Sequence, residues 1–267
     1  MGSLGRMFQK TRLNLSQIFE ELLSYDTISL KIMNNVVLLD TETTGIDPLV
    51  DRMVQLAYKY QSKLVSSYFK PPVPISVKSM SISHITNKMV EDKEEFSSSL
   101  MKQEVQEILK DNILVAHNAG FDIDILYKEG VQVSSFIDTY KLIRYLDKEN
   151  EIPEYGLQYL RYFLDFDLDA QAHDAAGDVL VLEKLFEYLY KRMEKEGNHN
   201  ILDTMVEISS KPLLLRIFNY GKHKGKKIEE VLAYDKNYLE WMLEQKLNNE
   251  QYDEDWIFTL KHHLKIN

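Results

Sequence analysis

The sequence predicts an α/β layer fold built on a mixed β-sheet. Val36-Val37-Leu38-Leu39 is a continuous apolar run, the pattern of a strand buried on both faces. Two further strand-like segments, 53–60 and 64–69, follow it with no helical pattern between them. Beyond them helical and strand-like segments alternate, which is the signature of helices packed on a sheet.

Taken in order, Leu15, Ile18, Phe19, Leu22 and Leu23 recur at helical spacing and predict an amphipathic helix over 13–23. Its polar face is not basic, so the expectation is a helix packed on the main domain rather than on a membrane. After the three strands, Pro71-Pro72-Val73-Pro74 cannot join a central ladder and reads as a connection. A helix is expected over 94–110, a strand over 112–116, a helix over 120–127 and a strand over 133–137. Helices then follow at 139–146, 157–163 and 174–195. The organisation expected is an N-terminal helical extension (1–34), a main domain (35–196), a linker (197–212) and a small C-terminal α+β module (213–267). Gln158-Tyr159-Leu160-Arg161-Tyr162-Phe163 superficially resembles a sliding-clamp peptide, but is read as a buried helix face.

Composition bounds the chemistry. The 267 residues contain no cysteine, which excludes disulfides, thiolate zinc sites and cysteine nucleophiles. No apolar run reaches the ~20 residues that span a bilayer, the first residues lack a signal-peptide stretch, and Arg6 does not fit a myristoylation signal. A cytoplasmic protein is expected. Net charge is −10, which argues against holding nucleic acid by broad attraction. It leaves room for an enzyme that places divalent cations between its own carboxylates and a phosphate.

Three strings carry candidate chemistry. In Asp40-Thr41-Glu42-Thr43-Thr44-Gly45, alternation along an extended chain puts Asp40 and Glu42 on one side. Two adjacent carboxylates at a strand end are costly unless a cation neutralises them, and hard ions such as Mg²⁺ or Mn²⁺ suit oxygen ligands. In His117-Asn118-Ala119-Gly120-Phe121-Asp122, a helix begins near Gly120 and brings Asp122 into its first turn. There an acid also gains from the helix dipole. His117 and Asn118 are expected to orient the carboxylates, and Asp124 is a neighbouring decoy. In His173-Asp174-Ala175-Ala176-Gly177-Asp178, Asp174 reads as a helix N-cap, with His173 on the preceding loop and Asp178 on the helix.

Together these strings resemble the three motifs of the DEDDh branch of 3′–5′ exonucleases, the family of the bacterial replicative polymerase proofreading subunit. The resemblance covers about residues 35–192 and implies an RNase H-like fold with a mixed sheet flanked by helices. It implies two divalent cations, Mg or Mn, held by Asp40, Glu42, Asp122 and Asp178, with His173 accepting a proton from the attacking water. A neutral histidine is needed for that step, so a neutral-to-alkaline optimum is expected. The implied substrate is a DNA 3′ end, single-stranded, cleaved to nucleoside 5′-monophosphates in repair or proofreading, either alone or beside a DNA polymerase. By the same resemblance Thr43 and Thr44 would meet the terminal nucleotide through backbone groups. Ser83-His84-Ile85-Thr86 resembles the family's H-G-I-T loop, read with His84 as a substrate contact and Ile85 at the glycine position.

The second unit resembles the C-terminal module of exodeoxyribonuclease X-type proteins, F-G-K-x-K-G-K followed by Y-L-x-W. Here Asn219-Tyr220 interrupts the opening, and Gly221 and Gly225 frame a basic turn. From 211 to 227 the chain carries no acid, so Lys222, Lys224, Lys226 and Lys227 are candidates for nucleic-acid contact. Two alternatives stand beside the DNA reading: an RNA-directed exonuclease of the same family, and a non-catalytic nucleic-acid-binding or scaffold subunit. The second would be marked by loss of metal ligands, whereas here all four acids and the histidine are present.

Overall fold

The computed structural model describes residues 32–170, 172–248 and 253–266. The helix expected over 13–23 lies outside them. The centre of the main domain is a five-stranded sheet in the order β3-β2-β1-β4-β5. Strand β1 (Val36–Thr43) pairs antiparallel with β2 (Met53–Tyr60) and parallel with β4 (Ile113–Ala116). Strand β3 (Lys63–Tyr68) closes an antiparallel edge against β2, and β5 (Phe136–Asp138) a parallel one against β4. The expected mixed sheet is present.

Alternation along β1 divides the interior into two layers. Val36 and Leu38 enter one core, with Val179, Leu182 and Leu185 of the long helix α7 (Ala175–Lys195). Val37 and Leu39 enter the other, with Val105 and Leu109 of α3 (Leu100–Asp111) and Ile125 and Leu126 of α4 (Ala119–Lys128). All four β1 side chains are fully buried, each worth about 1.5–3 kcal/mol. Their burial fixes the register, because a one-residue slip would turn every side chain to the opposite layer. This is what aims the residues that follow, Asp40 and Glu42, toward α7.

Several boundaries differ from the sequence reading. The connection after β3 contains two short helices, α1 (Val77–Ser83) and α2 (Asn87–Val90), capped by Ser76 and Thr86. The helix expected from 94 starts only at Leu100, where Ser99 accepts from the Lys102 amide as N-cap. Helices α5 (Thr139–Leu146) and α6 (Leu157–Phe163) fall where expected. On α6, however, only Leu160 and Arg161 are buried, while Tyr159, Tyr162 and Phe163 stay exposed.

The stretch expected as a linker holds α8 (Ile201–Ser209), whose Ile201 and Met205 enter the same core as α7. The expected α+β character of the C-terminal module is also corrected. Among the described residues it has three helices, α9 (Ile228–Tyr234), α10 (Lys236–Leu247) and α11 (Glu254–Leu264), and one isolated bridge, Ile217 to Lys227. Its own core gathers Leu215, Phe218, Val231, Leu239, Trp256 and Leu260. Arg216 reaches back to the Asp147 carbonyl at 3.2 Å.

Candidate active site

Three elements deliver acids to one place. Asp40 and Glu42 leave the α7-facing side of β1, and Asp178 sits in the first turn of α7 above them. One oxygen from each of these three lies within 4.8 Å of the others. Asp122, buried in the first turn of α4, comes from the other layer. Its Oδ1 accepts from the Thr41 hydroxyl at 2.7 Å, so the residue between the two β1 acids ties the fourth to the same strand.

Burial dominates the electrostatics. Desolvation pushes Glu42 up to about 8, with Asp178 and Asp122 adding repulsion. Asp122 rises to about 7, chiefly through burial, against the opposing effect of the Thr41 hydrogen bond. Asp40 is raised well above the carboxylate range by burial and then by Asp122, Asp178 and Glu42. Asp178 is raised by burial and held back by Gln158, whose amide donates to it. A protonated His173 also favours its carboxylate. An all-oxygen donor set that repels itself in a desolvated cleft fits a hard divalent cation.

The surrounding contacts set each element's position. Asp174 caps α7 through the Gly177 amide and accepts from Gln55 Nε2 at 2.7 Å, joining the helix start to β2. The turn after Glu42 closes on Asp51, which accepts from the Thr44 hydroxyl at 2.7 Å and the Asp47 amide at 2.8 Å. A Cβ at Gly45 would meet the Asp51 carboxylate at 2.3 Å, so the turn needs glycine there. His173 is exposed on the loop before α7, in left-handed backbone with φ 59. Asp124 points to solvent.

Several residues do not do what their motifs suggested. His117 does not touch the acids. Its Nδ1 lies 2.9 Å from the Thr139 hydroxyl and its Nε2 2.8 Å from the Tyr155 carbonyl, and burial lowers it to about 4. It braces β4 against the segment leading into α6. Asn118 stands at the start of α4 with φ 63 and no side-chain cap bond, its backbone N–H donating to Asp138. Both backbone groups of Thr44 are used internally, the N–H on the Arg52 carbonyl and the carbonyl on the Ser76 amide. The N–H is therefore not free to meet a nucleotide, while the carbonyl retains a second lone pair.

Left-handed backbone falls on His84 (φ 60), which ends α1, while Ile85 is buried in a small core with Val54, Ile75 and Val90. The glycine position of the H-G-I-T loop is therefore His84, not Ile85, and Ser83 takes the histidine position. Of the candidate lysines, Lys222 pairs with Asp235 at 2.8 Å and Lys226 donates to the Tyr234 hydroxyl at 3.1 Å. Lys224 and Lys227 are exposed. Sequence reasoning missed Thr41, Gln55 and Gln158. Thr41 was signalled by its place between two acids; Gln158 had no local signal.

This geometry has relatives. The exonuclease (RNase T) family model matches residues 37–186, and the exodeoxyribonuclease X-like C-terminal model matches 218–246. A PolC-type DNA polymerase III of Thermotoga maritima is 33% identical over 178 residues, covering 60% of this chain but only 12% of the polymerase. Exodeoxyribonuclease 10 of Escherichia coli K12 is 27% identical over 239 residues, covering 85% of this chain and 98% of that protein. A solved structure of exonuclease X with 5′-overhanging duplex DNA is 25% identical with a TM-score of 0.53, covering 66% of this chain and 99% of that one. The family model spans more than half of the 267 residues and brackets every acid of the cleft, so the chain belongs to the exonuclease (RNase T) family.

Proposed function

We propose that this protein is a metal-dependent 3′–5′ exonuclease that hydrolyses the terminal phosphodiester of DNA and releases nucleoside 5′-monophosphates. The observation that carries the reading is the convergence of Asp40, Glu42 and Asp178 oxygens within 4.8 Å, with Asp122 tied to the same strand by Thr41. Those four acids would hold two divalent cations, Mg or Mn, which when bound stabilise charge on the attacking and leaving oxygens. Gln158 keeps Asp178 oriented and ionised by donating to its carboxylate. His173, exposed at the rim beside Asp178, accepts the proton of the attacking water through a neutral ring nitrogen. Thr43, buried at the end of β1, donates its hydroxyl to the Gly45 carbonyl and holds the turn that follows Glu42.

DNA rather than RNA is the substrate in this reading, by likeness to exodeoxyribonuclease 10 along 98% of that protein's length. A role in repair or proofreading, by itself or beside a DNA polymerase, belongs to the same reading, the first by likeness to exodeoxyribonuclease 10 and the second by likeness to the PolC-type relative. A cytoplasmic location belongs to the reading; no helix among the described residues is long and apolar enough to cross a membrane. The C-terminal unit adds a nucleic-acid contact through its basic turn, with Lys224 and Lys227 the lysines best placed to meet phosphate.

The test is degradation of DNA and RNA oligonucleotides labelled at either end, with Mg²⁺, Mn²⁺ or EDTA. A 5′-labelled DNA strand should shorten progressively, and EDTA should stop it. Shortening from the 5′ end, or activity that persists in EDTA, overturns the assignment.

A further inference from the structure

The C-terminal unit presents aromatic rings among its lysines. Tyr234 ends α9, and Tyr238 and Trp241 lie one turn apart on α10. The Tyr238 and Trp241 rings have centroids 5.5 Å apart at 38°. Lys222 lies over the Tyr238 ring at 5.8 Å and Lys226 over the Tyr234 ring at 5.4 Å. Beneath them His223 is buried edge-on against both tyrosines, with its Nε2 2.7 Å from Asp235. The basic turn can approach this closely only because Gly221 lacks a side chain: a Cβ there would meet the Tyr238 hydroxyl at 2.6 Å, and φ is 75°.

The burial is uneven in an instructive way. The chain has two tryptophans; Trp256 is 3% exposed and stacks on Phe218 inside the module, whereas Trp241 is 53% exposed and Tyr234 59%. Tyr238 is half-buried and packs against that core, whereas Tyr234 and Trp241 stand outside it. Large apolar rings held in fixed orientation at the surface, with the ammonium groups of Lys222 and Lys226 against them, have the composition that binds single-stranded nucleic acid. Bases stack on the rings and phosphates meet the lysines. A protein partner would be served as well by the rings alone, but not by lysines within a run, 211–227, that contains no acid in a chain of net charge −10.

We propose that Tyr234, Tyr238 and Trp241 form a stacking surface for unpaired bases, so that the C-terminal unit grips single-stranded DNA rather than duplex. The inference rests on the nucleic-acid reading above and names what that contact recognises. Stacking separates it from simple charge attraction, since an abasic oligonucleotide keeps its phosphates and loses its bases.

Binding is measured on the full chain carrying Asp40→Asn, in EDTA, so that no cleavage intervenes. Twenty-nucleotide poly-dT, an abasic strand of equal length and a blunt duplex are the probes. Poly-dT should bind about tenfold more tightly than the abasic strand and quench the fluorescence of Trp241. Trp241→Ala, and separately Tyr234→Ala, should remove most of that advantage while leaving abasic binding unchanged; Trp241→Phe should retain it and abolish the quench. Equal affinity for poly-dT and the abasic strand, preference for duplex, or undiminished poly-dT binding by both alanine variants overturns the proposal. Each outcome is independent of nuclease activity, which is scored separately on the unmutated chain.

Discussion

The two functional regions of this molecule solve opposite electrostatic problems. In the main domain, acids crowd a desolvated cleft, and burial and their mutual repulsion drive their carboxyls upward. In the C-terminal unit, Asp235 is surrounded by Lys222 and His223 and is held below the usual carboxylate range by them. One site repels phosphate until metal arrives; the other is neutralised within itself and leaves further lysines exposed. Net charge is thus a poor guide to local chemistry in a chain of −10, because patches of opposite sign coexist in it.

The largest effect that would sharpen this contrast comes from the cleft. Asp40→Ala removes a carboxylate from the centre of the acid cluster proposed to hold metal, the residue repelled by all three others. Activity on 3′ ends should fall by about a thousandfold or more, since several kcal/mol of transition-state stabilisation go with the metal. DNA binding in EDTA should change by less than about twofold, as expected for distant, independent sites. Loss of binding together with activity would show that the regions do not divide the work.

Next in size is Phe218→Ala in the C-terminal core. Phe218 is fully buried and stacks on Trp256 with centroids 5.3 Å apart. Truncation should cost about 3–5 kcal/mol of that unit's stability. Chemical denaturation followed by tryptophan fluorescence should show an early transition, while hydrolysis of a small thymidine 5′-phosphate ester continues. Because Trp241 and Trp256 both report on this unit, loss of hydrolysis at the same denaturant concentration as the fluorescence change would mean that the two cores unfold as one.

The sequence made the cleft far more legible than the module. Alternation in 36–42 was enough to place Asp40 and Glu42 on one face, because strand geometry is local and burial of Val36 to Leu39 leaves one register. Asp174 was readable as a cap for the same reason. What failed depended on contacts across the chain. His117 sits inside a motif with Asp122, yet its ring turns to Tyr155, 38 residues on. Ile201 and Met205 belong to a helix because α7 and the sheet edge offer them a core, which the glycine and asparagines at 197–200 concealed. Gln158 joins Asp178 across 20 residues, and nothing in its own helix announces it.

A smaller effect concerns pH, and it has opposite signs in the two regions. Glu42 and Asp122 have folded values near 8 and 7, above the ordinary 4.5 and 3.8, so between those limits the folded metal-free chain binds more protons than the unfolded one. Stability is therefore fully present below about pH 4 and declines as pH rises, by about 1.4 kcal/mol per pH unit for each retained proton. In EDTA the main transition should move several degrees lower from about pH 5 to about pH 7.5, and Mn²⁺ should restore it. Asp235 is shifted down instead, so its contribution is present above about pH 4 and lost in acid. A main transition that rises with pH in EDTA would contradict the crowding described for the cleft.

The smallest expected effect isolates Gln158. Its amide lowers Asp178 against the effect of burial, so Gln158→Ala should raise that carboxyl further and weaken metal at neutral pH. The acidic limb of the pH–rate profile should move upward, with activity near pH 7 down by about tenfold, the loss of one hydrogen bond to a charged group. Recovery at alkaline pH or raised Mn²⁺ distinguishes this from damage to the fold, because either favours the ionised Asp178 that the proposed metal site requires without the amide. If activity were lost equally at every pH and metal concentration, Gln158 would be shaping helix α6 rather than the charge of the cleft.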